Sequence, residues 1–429
     1  MSAFDKVIGY EQVKQELMQI ADTLKNREVY EALGVSSPRG LLLHGIPGVG
    51  KSLMAQCLIE ESGREVFTCR KTEPNGEFVN TIKKTFSKAA ESAPSIVYLD
   101  DMDKFANDDE RHRNSEEFVT VQSCIDELRG KEVFVLATAN ETHCLPDSLT
   151  RAGRFDRVIE VEAPEGKDAE CIIEHYLKAK RLSSDLDAHA IAAILSGKSC
   201  ATLETVINEA GLIAGFKRLD CITMEQVVDA CLRIVFHAED ATFDEEIDIA
   251  GEGTASQIVW HEAGHAVVSE VLCAGSVVLA SARRRSARQG GFVKTHFDEG
   301  ADPLRLRQSS IIVTLGGRAA SETRFGMLDA GSESDLGRAY NMARDLHEDL
   351  CFGGFSLYAD HRASEKQQER VEIATAASVE DFYRKAKEIL CKNRDFLERM
   401  AKALATRDVL LAKDIASIRA ECDVVEASI

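Results

Sequence analysis

The stretch QIVWHEAGHAVV, residues 257–268, carries His261, Glu262 and His265 in the order H-E-x-x-H. On a helix, side chains four residues apart share a face, so both imidazoles can reach one zinc ion. Glu262 then stands beside them, where it can take a proton from water activated by the metal. Two imidazoles are too few for a catalytic zinc, which takes three protein ligands and keeps one position open. Ala263, Gly264 and the apolar continuation also suit a buried helix that is plain core. The motif leaves open where a third ligand would come from and what the preceding 250 or so residues are for.

A second reactive stretch lies in those residues. GIPGVGKS, residues 45–52, fits G-x-x-x-x-G-K-S, comes after an apolar run and precedes a helical pattern. In such a loop, formed here by Gly45, Pro47, Gly48, Val49 and Gly50, backbone amides turn toward phosphate oxygens and the helix amino-terminus adds its positive end. Lys51 would reach the outer phosphates of ATP, and the Ser52 hydroxyl would ligate magnesium. IVYLDD, residues 96–101, ends in two carboxylates: Asp100 is placed to hold magnesium through water and Asp101 to orient the attacking water. Asn140, closing LATAN, can contact the terminal phosphate or that water. Arg154 and Arg157 in RAGRFDR have the chemistry to stabilise charge in the transition state, often from a neighbouring subunit.

Elements must hold these groups. Residues 1–165 alternate apolar runs with helical stretches, the pattern of an α/β fold with a parallel sheet flanked by helices. Strands are predicted at 40–45, 65–70, 95–100 and 133–139. Residues 166–236 carry apolar positions at three-to-four spacing in four successive stretches and read as a helical lid. Residues 237–256 are acidic, Gly-containing and aperiodic, which suits a linker. From 257 to 429 the pattern is mainly helical, with one strand expected at GGFVKTHF, residues 290–297.

With 429 residues the chain exceeds one ordinary core. Its 44% hydrophobic and 29% charged residues are those of a globular protein. A net charge of −20 argues against a nucleic-acid or anionic-membrane surface. The basic run ARRRSARQ, residues 282–289, reads as a solvated loop. Twelve cysteines without a C-x-x-C pair suit a reducing compartment, and no signal region or membrane-spanning run is visible, so a soluble, cytoplasmic protein is expected.

FDKVIGYEQVKQEL, PRGLLLHGIPGVGKS, SIVYLDDMDKF, LATAN and LTRAGRFDR together resemble the AAA ATPase module of the FtsH-type ATP-dependent metalloproteases. The segment with INEAGLIA resembles that module's lid, and the chain from HEAGH onward resembles the family's zinc peptidase domain. The resemblance implies a homo-hexameric ring that uses ATP, magnesium and zinc to unfold protein substrates and cut them. It also supplies a third ligand: the family takes an aspartate from an S-x-x-x-S/N-D stretch at a helix start, and Asp335 of GSESD falls there, 70 residues after His265. Glu322 resembles a residue near the zinc histidines, an orienter or a plain surface glutamate. GGFVKTH resembles the strand onto which substrate adds by backbone pairing.

Three departures stand out. The family's membrane-spanning amino-terminal segment does not precede Phe4, as in a naturally soluble member or a trimmed chain. Asp101 replaces the usual glutamate and draws the carboxylate back by one methylene. The pore-loop stretch CRKTEPNGEFVNTIKK, residues 69–84, lacks the aromatic-hydrophobic-glycine triplet, and its one aromatic, Phe78, fits a core position. An ATP-dependent zinc endopeptidase is the expectation, and a zinc peptidase with an attenuated motor is the alternative.

Overall fold

Apolar runs too short for helices and rich in β-branched residues become the strands of the first half. The computed structural model describes residues 2–72, 78–105, 115–141, 145, 148–149, 153–238, 247–283, 290–297, 302–326, 332–358 and 364–429. It divides into two compact units, Met1–Val227 and Val228–Ile429.

In the first unit, α1 (Glu11–Lys25) and α2 (Arg27–Ala32) precede β1 (Gly40–His44), α3 (Lys51–Ser62), β2 (Glu65–Arg70), α4 (Phe78–Glu91), β3 (Ser95–Asp100), α5 (Ser115–Glu127), β4 (Val133–Ala139) and β5 (Arg157–Glu160). The strands form one parallel sheet in the order β2-β3-β4-β1-β5. Its inner strands β3 and β4 are buried almost throughout, as a parallel sheet covered on both faces requires. The four predicted strands are present at the expected places. β5 adds a fifth, a four-residue edge strand with three exposed positions and therefore little apolar signal. Four helices come next: α6 (Gly166–Leu177), α7 (Ala188–Ile194), α8 (Cys200–Phe216) and α9 (Met224–Ile234), where the two units part. Phe78 is fully buried, edge-on to Phe105 with ring centroids 5.1 Å apart, so it serves the core. Residues 73–77 of the pore-loop stretch lie outside the described residues.

The second unit contains α10 (Thr254–Leu272), β6 (Val277–Ser281), β7 (Phe292–Thr295), α11 (Pro303–Phe325), α12 (Glu333–Glu348), α13 (Glu365–Lys392), α14 (Arg394–Arg407), β8 (Val409–Leu411) and α15 (Ala412–Ala420). Its antiparallel sheet runs β7-β6-β8, three strands where one was expected. β6 is buried at every position and comes after an apolar helix, so its run carries no period of two to set it apart. β8 has only three residues.

α10 is buried on all sides from Val259 to Val271 and crosses α11 closely. Glycine allows that approach: a Cβ on Gly264 would fall 2.5 Å from both the Gly316 carbonyl oxygen and Ala320 Cβ. α11 begins cleanly, with Pro303 in its first turn and the Asp302 carboxylate accepting from the Leu304 amide. Among the described residues, no helix is long and apolar enough to cross a membrane.

Candidate nucleotide cleft and metal centre

The loop from β1 to α3 is shaped by glycines at φ of +146° (Gly45), +83° (Gly48) and +98° (Gly50), conformations that side chains resist. At Gly45 even space forbids a Cβ, which would sit 2.0 Å from the Val161 carbonyl oxygen. Lys51 Nζ folds back onto this loop, donating to the carbonyls of Gly45 (2.7 Å) and Ile46 (2.9 Å) and to Asn140 Oδ1 (2.9 Å). Burial lowers its pKa, with Asp103 and Asp101 pulling the other way.

β3 and β4 end beside the loop and bring Asp100, Asp101 and Asn140 to it. Asp100 Oδ1 accepts from the Tyr98 hydroxyl (2.8 Å) and from Thr138 Oγ1 (3.1 Å). Asp101 Oδ2 pairs with Lys104 Nζ at 2.5 Å, and Asn140 Nδ2 approaches Asp101 Oδ1 at 3.5 Å. Asp101 has φ +52°, a region that aspartate enters more readily than longer side chains. The residue type that looked anomalous in the sequence therefore matches its backbone.

A cavity of about 600 Å³ opens over this loop. Pro47–Ser52, Asp101 and Asn140 line it, with Ile8 before α1, Ile172 and Tyr176 on α6, and Ala201 on α8. The helices after residue 166 thus touch the loop directly, and the Ala201 amide donates to the Gly48 carbonyl at 3.0 Å. Sequence reasoning missed Ile8, Ile172 and Ala201, whose apolar side chains carry no signal apart from their place in the fold.

Arg154 and Arg157 are not brought to the cavity of their own chain. Arg154 is held by Asp126 Oδ2 (2.8 Å) and the Ser148 carbonyl (2.6 Å). Arg157 opens β5 opposite Leu41, toward the amino-terminal edge of the sheet and away from the loop.

In the second unit, His261 and His265 on α10 meet Asp335 in the first turn of α12. Asp335 Oδ2 lies 3.0 Å from His261 Nε2 and 3.2 Å from His265 Nε2, and the two nitrogens are 3.0 Å apart. Four ligands at about 2.0 Å from a tetrahedral zinc are separated by about 3.3 Å, so this triangle has the right size. The His265 tautomer is set by its other nitrogen. Nδ1 lies 2.7 Å from the Val313 carbonyl and 3.3 Å from the Gly317 amide, and it cannot donate to one and accept from the other. The shorter contact makes Nδ1 the donor, which leaves Nε2 with a lone pair turned to the triangle. Burial pushes the Asp335 pKa up, but the adjoining imidazoles, His261 first, outweigh it and hold the carboxyl well below the usual range. Arg338 Nη2 binds its other oxygen at 2.8 Å. The donor set, two nitrogens and a carboxylate converging in a buried place, fits zinc.

Glu262 is buried beside this group, and a Cβ on Gly291, at the start of β7, would come within 2.7 Å of Glu262 Cγ. Gly317 is a further part of the site that sequence reasoning missed. A Cβ there would lie 2.5 Å from both Nε2 atoms, so the helix backbone itself forms one wall of the centre. Glu322 does not orient the histidines: Tyr383 and Lys387 (2.9 Å) hold its carboxylate, and the Val313 carbonyl orients His265.

Residues 41–163 match the ATPase family associated with various cellular activities (AAA), and residues 251–418 match peptidase family M41. The chain is 31% identical to an "ATP-dependent zinc metalloprotease FtsH" of Methylibium petroleiphilum, over 95% of this chain and 71% of that protein. It is 30% identical to proteins of that name from Mycoplasma pneumoniae (96% of this chain, 61% of the relative) and Lactococcus lactis (97% and 63%). The chain thus spans about three fifths of the length of these latter two. The alternative of an attenuated motor finds no support in these relatives. An AAA module followed by an M41 module along one chain, and a relative 31% identical, place this protein in the FtsH family of AAA zinc metalloproteases.

Proposed function

We propose that the chain is an ATP-dependent zinc endopeptidase that cuts unfolded protein substrates and works as a ring, most simply a homo-hexamer. The observation that carries this reading is the convergence of His261, His265 and Asp335 beside the buried Glu262. In this reading the three side chains hold zinc, Val313 and Arg338 orienting two of them. Zinc, when bound, supplies Lewis acidity toward water and the scissile carbonyl. Glu262 takes the proton of the attacking water and delivers it to the departing amide nitrogen. Among the described residues β7 stands at the end of its sheet, and an extended substrate can add to it through backbone hydrogen bonds, so side-chain specificity is loose.

In the cleft of the first unit, the amides of the loop around Gly45, Pro47, Gly48, Val49 and Gly50 cradle the phosphates, and Ile8 and Ile172 provide an apolar slot for the base. Lys51 leaves its carbonyl partners for the outer phosphates, Ser52 and Asp100 hold magnesium, and Asp101 with Asn140 orients the attacking water. Arg154 and Arg157, remote from their own cleft, act on a neighbouring subunit's nucleotide.

The decisive experiment is cleavage of casein by the purified protein and by Glu262→Gln. The variant is expected to lose at least about a hundredfold in rate, the scale of general-base catalysis, with ATP hydrolysis intact. Unchanged cleavage would remove the zinc mechanism. Equal cleavage by the wild-type protein with and without ATP would remove the ATP dependence.

A further inference from the structure

Arg283 belongs to the basic run read from the sequence as a solvated loop, yet its side chain keeps only 15% of its exposure. Its guanidinium forks: Nη1 donates to Asp229 Oδ1 and Nε to Asp408 Oδ2, each at 2.9 Å. Asp229 lies in the part of α9 that belongs to the second unit. Asp408 sits in the turn from α14 to β8 at φ +53°, and its carbonyl accepts from the Ala282 amide at 2.8 Å. One guanidinium thus joins two carboxylates from distant segments, and without it two partly buried like charges would lose their common partner. Phe236, just past α9, stacks on Phe292 at the start of β7, with centroids 4.4 Å apart.

The segment pinned in this way lies against Gly291, which in turn lies against Glu262. Ser281 pairs with Phe292, the first residue of β7. At the preceding Gly291, a Cβ would fall 2.1 Å from the Ser281 carbonyl oxygen, 3.0 Å from Ala282 Cα and 2.7 Å from Glu262 Cγ. The backbone has no slack there, so a shift of Ala282 is passed to Gly291 and to the start of the edge strand.

We propose that Arg283 is a positioning residue for peptide hydrolysis: by tying Asp229 to Asp408 it holds the start of β7 against Glu262, so that an extended substrate added to that edge lies in register with the base. The inference rests on the peptidase reading. Arg283 touches neither substrate nor metal ligands and acts through β7.

The test uses the full zinc-loaded chain and an unfolded peptide substrate. It measures KM, kcat, zinc affinity by chelator competition and ATP hydrolysis. Arg283→Met is expected to raise KM about tenfold with kcat within about threefold of wild type, because binding along the edge is shared by ground and transition states. Zinc affinity and ATP hydrolysis stay unchanged, and Arg283→Lys recovers much of the KM because it keeps the charge. A wild-type KM in Arg283→Met overturns the proposal, and so does a loss of zinc affinity in parallel with kcat, which marks a merely structural role. Should Arg283→Met fail to fold, Asp229→Asn keeps the Asp408 pair and is expected to raise KM about threefold; an unchanged KM there also overturns the proposal. Glu262-dependent cleavage in the wild type separates the two claims: without it the peptidase reading itself fails, and with it a flat KM series removes Arg283 alone.

Discussion

The nucleotide cleft and the metal centre handle their polar groups in opposite ways. In the cleft, opposites already face each other. Lys51 is satisfied by two carbonyls and Asn140, Asp101 by Lys104, and Asp100 by Tyr98 and Thr138. In the metal centre, two imidazole nitrogens and a carboxylate oxygen crowd within about 3 Å of each other, and with Asp335 ionised no placement of protons on the imidazoles gives every pair a donor and an acceptor. A buried cation resolves that arrangement. In the proposed reading the first site exchanges partners when its ligand arrives, whereas the second is built around its ligand.

The largest effect that can break this contrast is metal removal. Removal of zinc by a zinc-selective chelator, with magnesium kept in excess, is expected to reduce casein cleavage by more than about a hundredfold while ATP hydrolysis stays near its starting rate. Cleavage that survives chelation would mean that the triangle is not the cutting site. The converse experiment is Asp101→Asn, expected to slow ATP hydrolysis about a hundredfold with nucleotide binding within a few-fold of wild type. Hydrolysis of a short unfolded peptide should then be unaffected. Loss of nucleotide binding in step with turnover would show that Asp101 supports the cleft rather than orienting water.

Glycines sharpen the comparison at the next level. Gly317→Ala places a Cβ 2.5 Å from both zinc-facing nitrogens and is expected to weaken zinc at least about tenfold, read by chelator competition. At Gly50 a Cβ meets nothing within 4 Å, so Gly50→Ala carries only the backbone strain of φ +98°, roughly 1–2 kcal/mol. Its melting temperature should fall with zinc affinity unchanged. Equal zinc affinity in wild type and Gly317→Ala would refute the steric argument. The smallest effect is expected from Lys104→Met. Lys104 is 57% exposed, and such pairs contribute under about 1 kcal/mol, so ATP turnover should change by no more than about fivefold.

Much of the fold and of both sites is legible in the residues, and the exceptions share a cause. The strands at 40–44, 65–70, 95–100 and 133–139 announce themselves as short apolar runs between helical patterns. β6 does not, because its run comes after an apolar helix and is buried on both faces. β5 and β8 are too short to show a period. Lys51 can be read from its glycine-rich loop, and Asp100, Asp101 and Asn140 because each closes a strand or comes just after one, and parallel strands deliver their carboxyl ends to one rim. Ile8, Ile172 and Ala201 cannot, since an apolar residue lining a cavity looks like one lining a core. Glu322 misleads for a related reason: on α11 it stands one turn past Arg318, and only the packing of α13 turns it toward Tyr383 and Lys387.

By itself the sequence determined the groups whose chemistry depends on close neighbours along the chain. These are the phosphate loop, whose amides are consecutive, and the two histidines, which one turn of helix brings to a common face. Tertiary structure decided what depends on segments far apart. It brought Asp335 to within 3.2 Å of both imidazoles across a gap of 70 residues, set the backbone of Gly317 against them, and drew Arg283 between Asp229 and Asp408. Local spacing comes from helix and strand geometry, but the meeting of distant segments depends on which apolar faces pack together, as α10 and α11 do through Gly264 and Gly316.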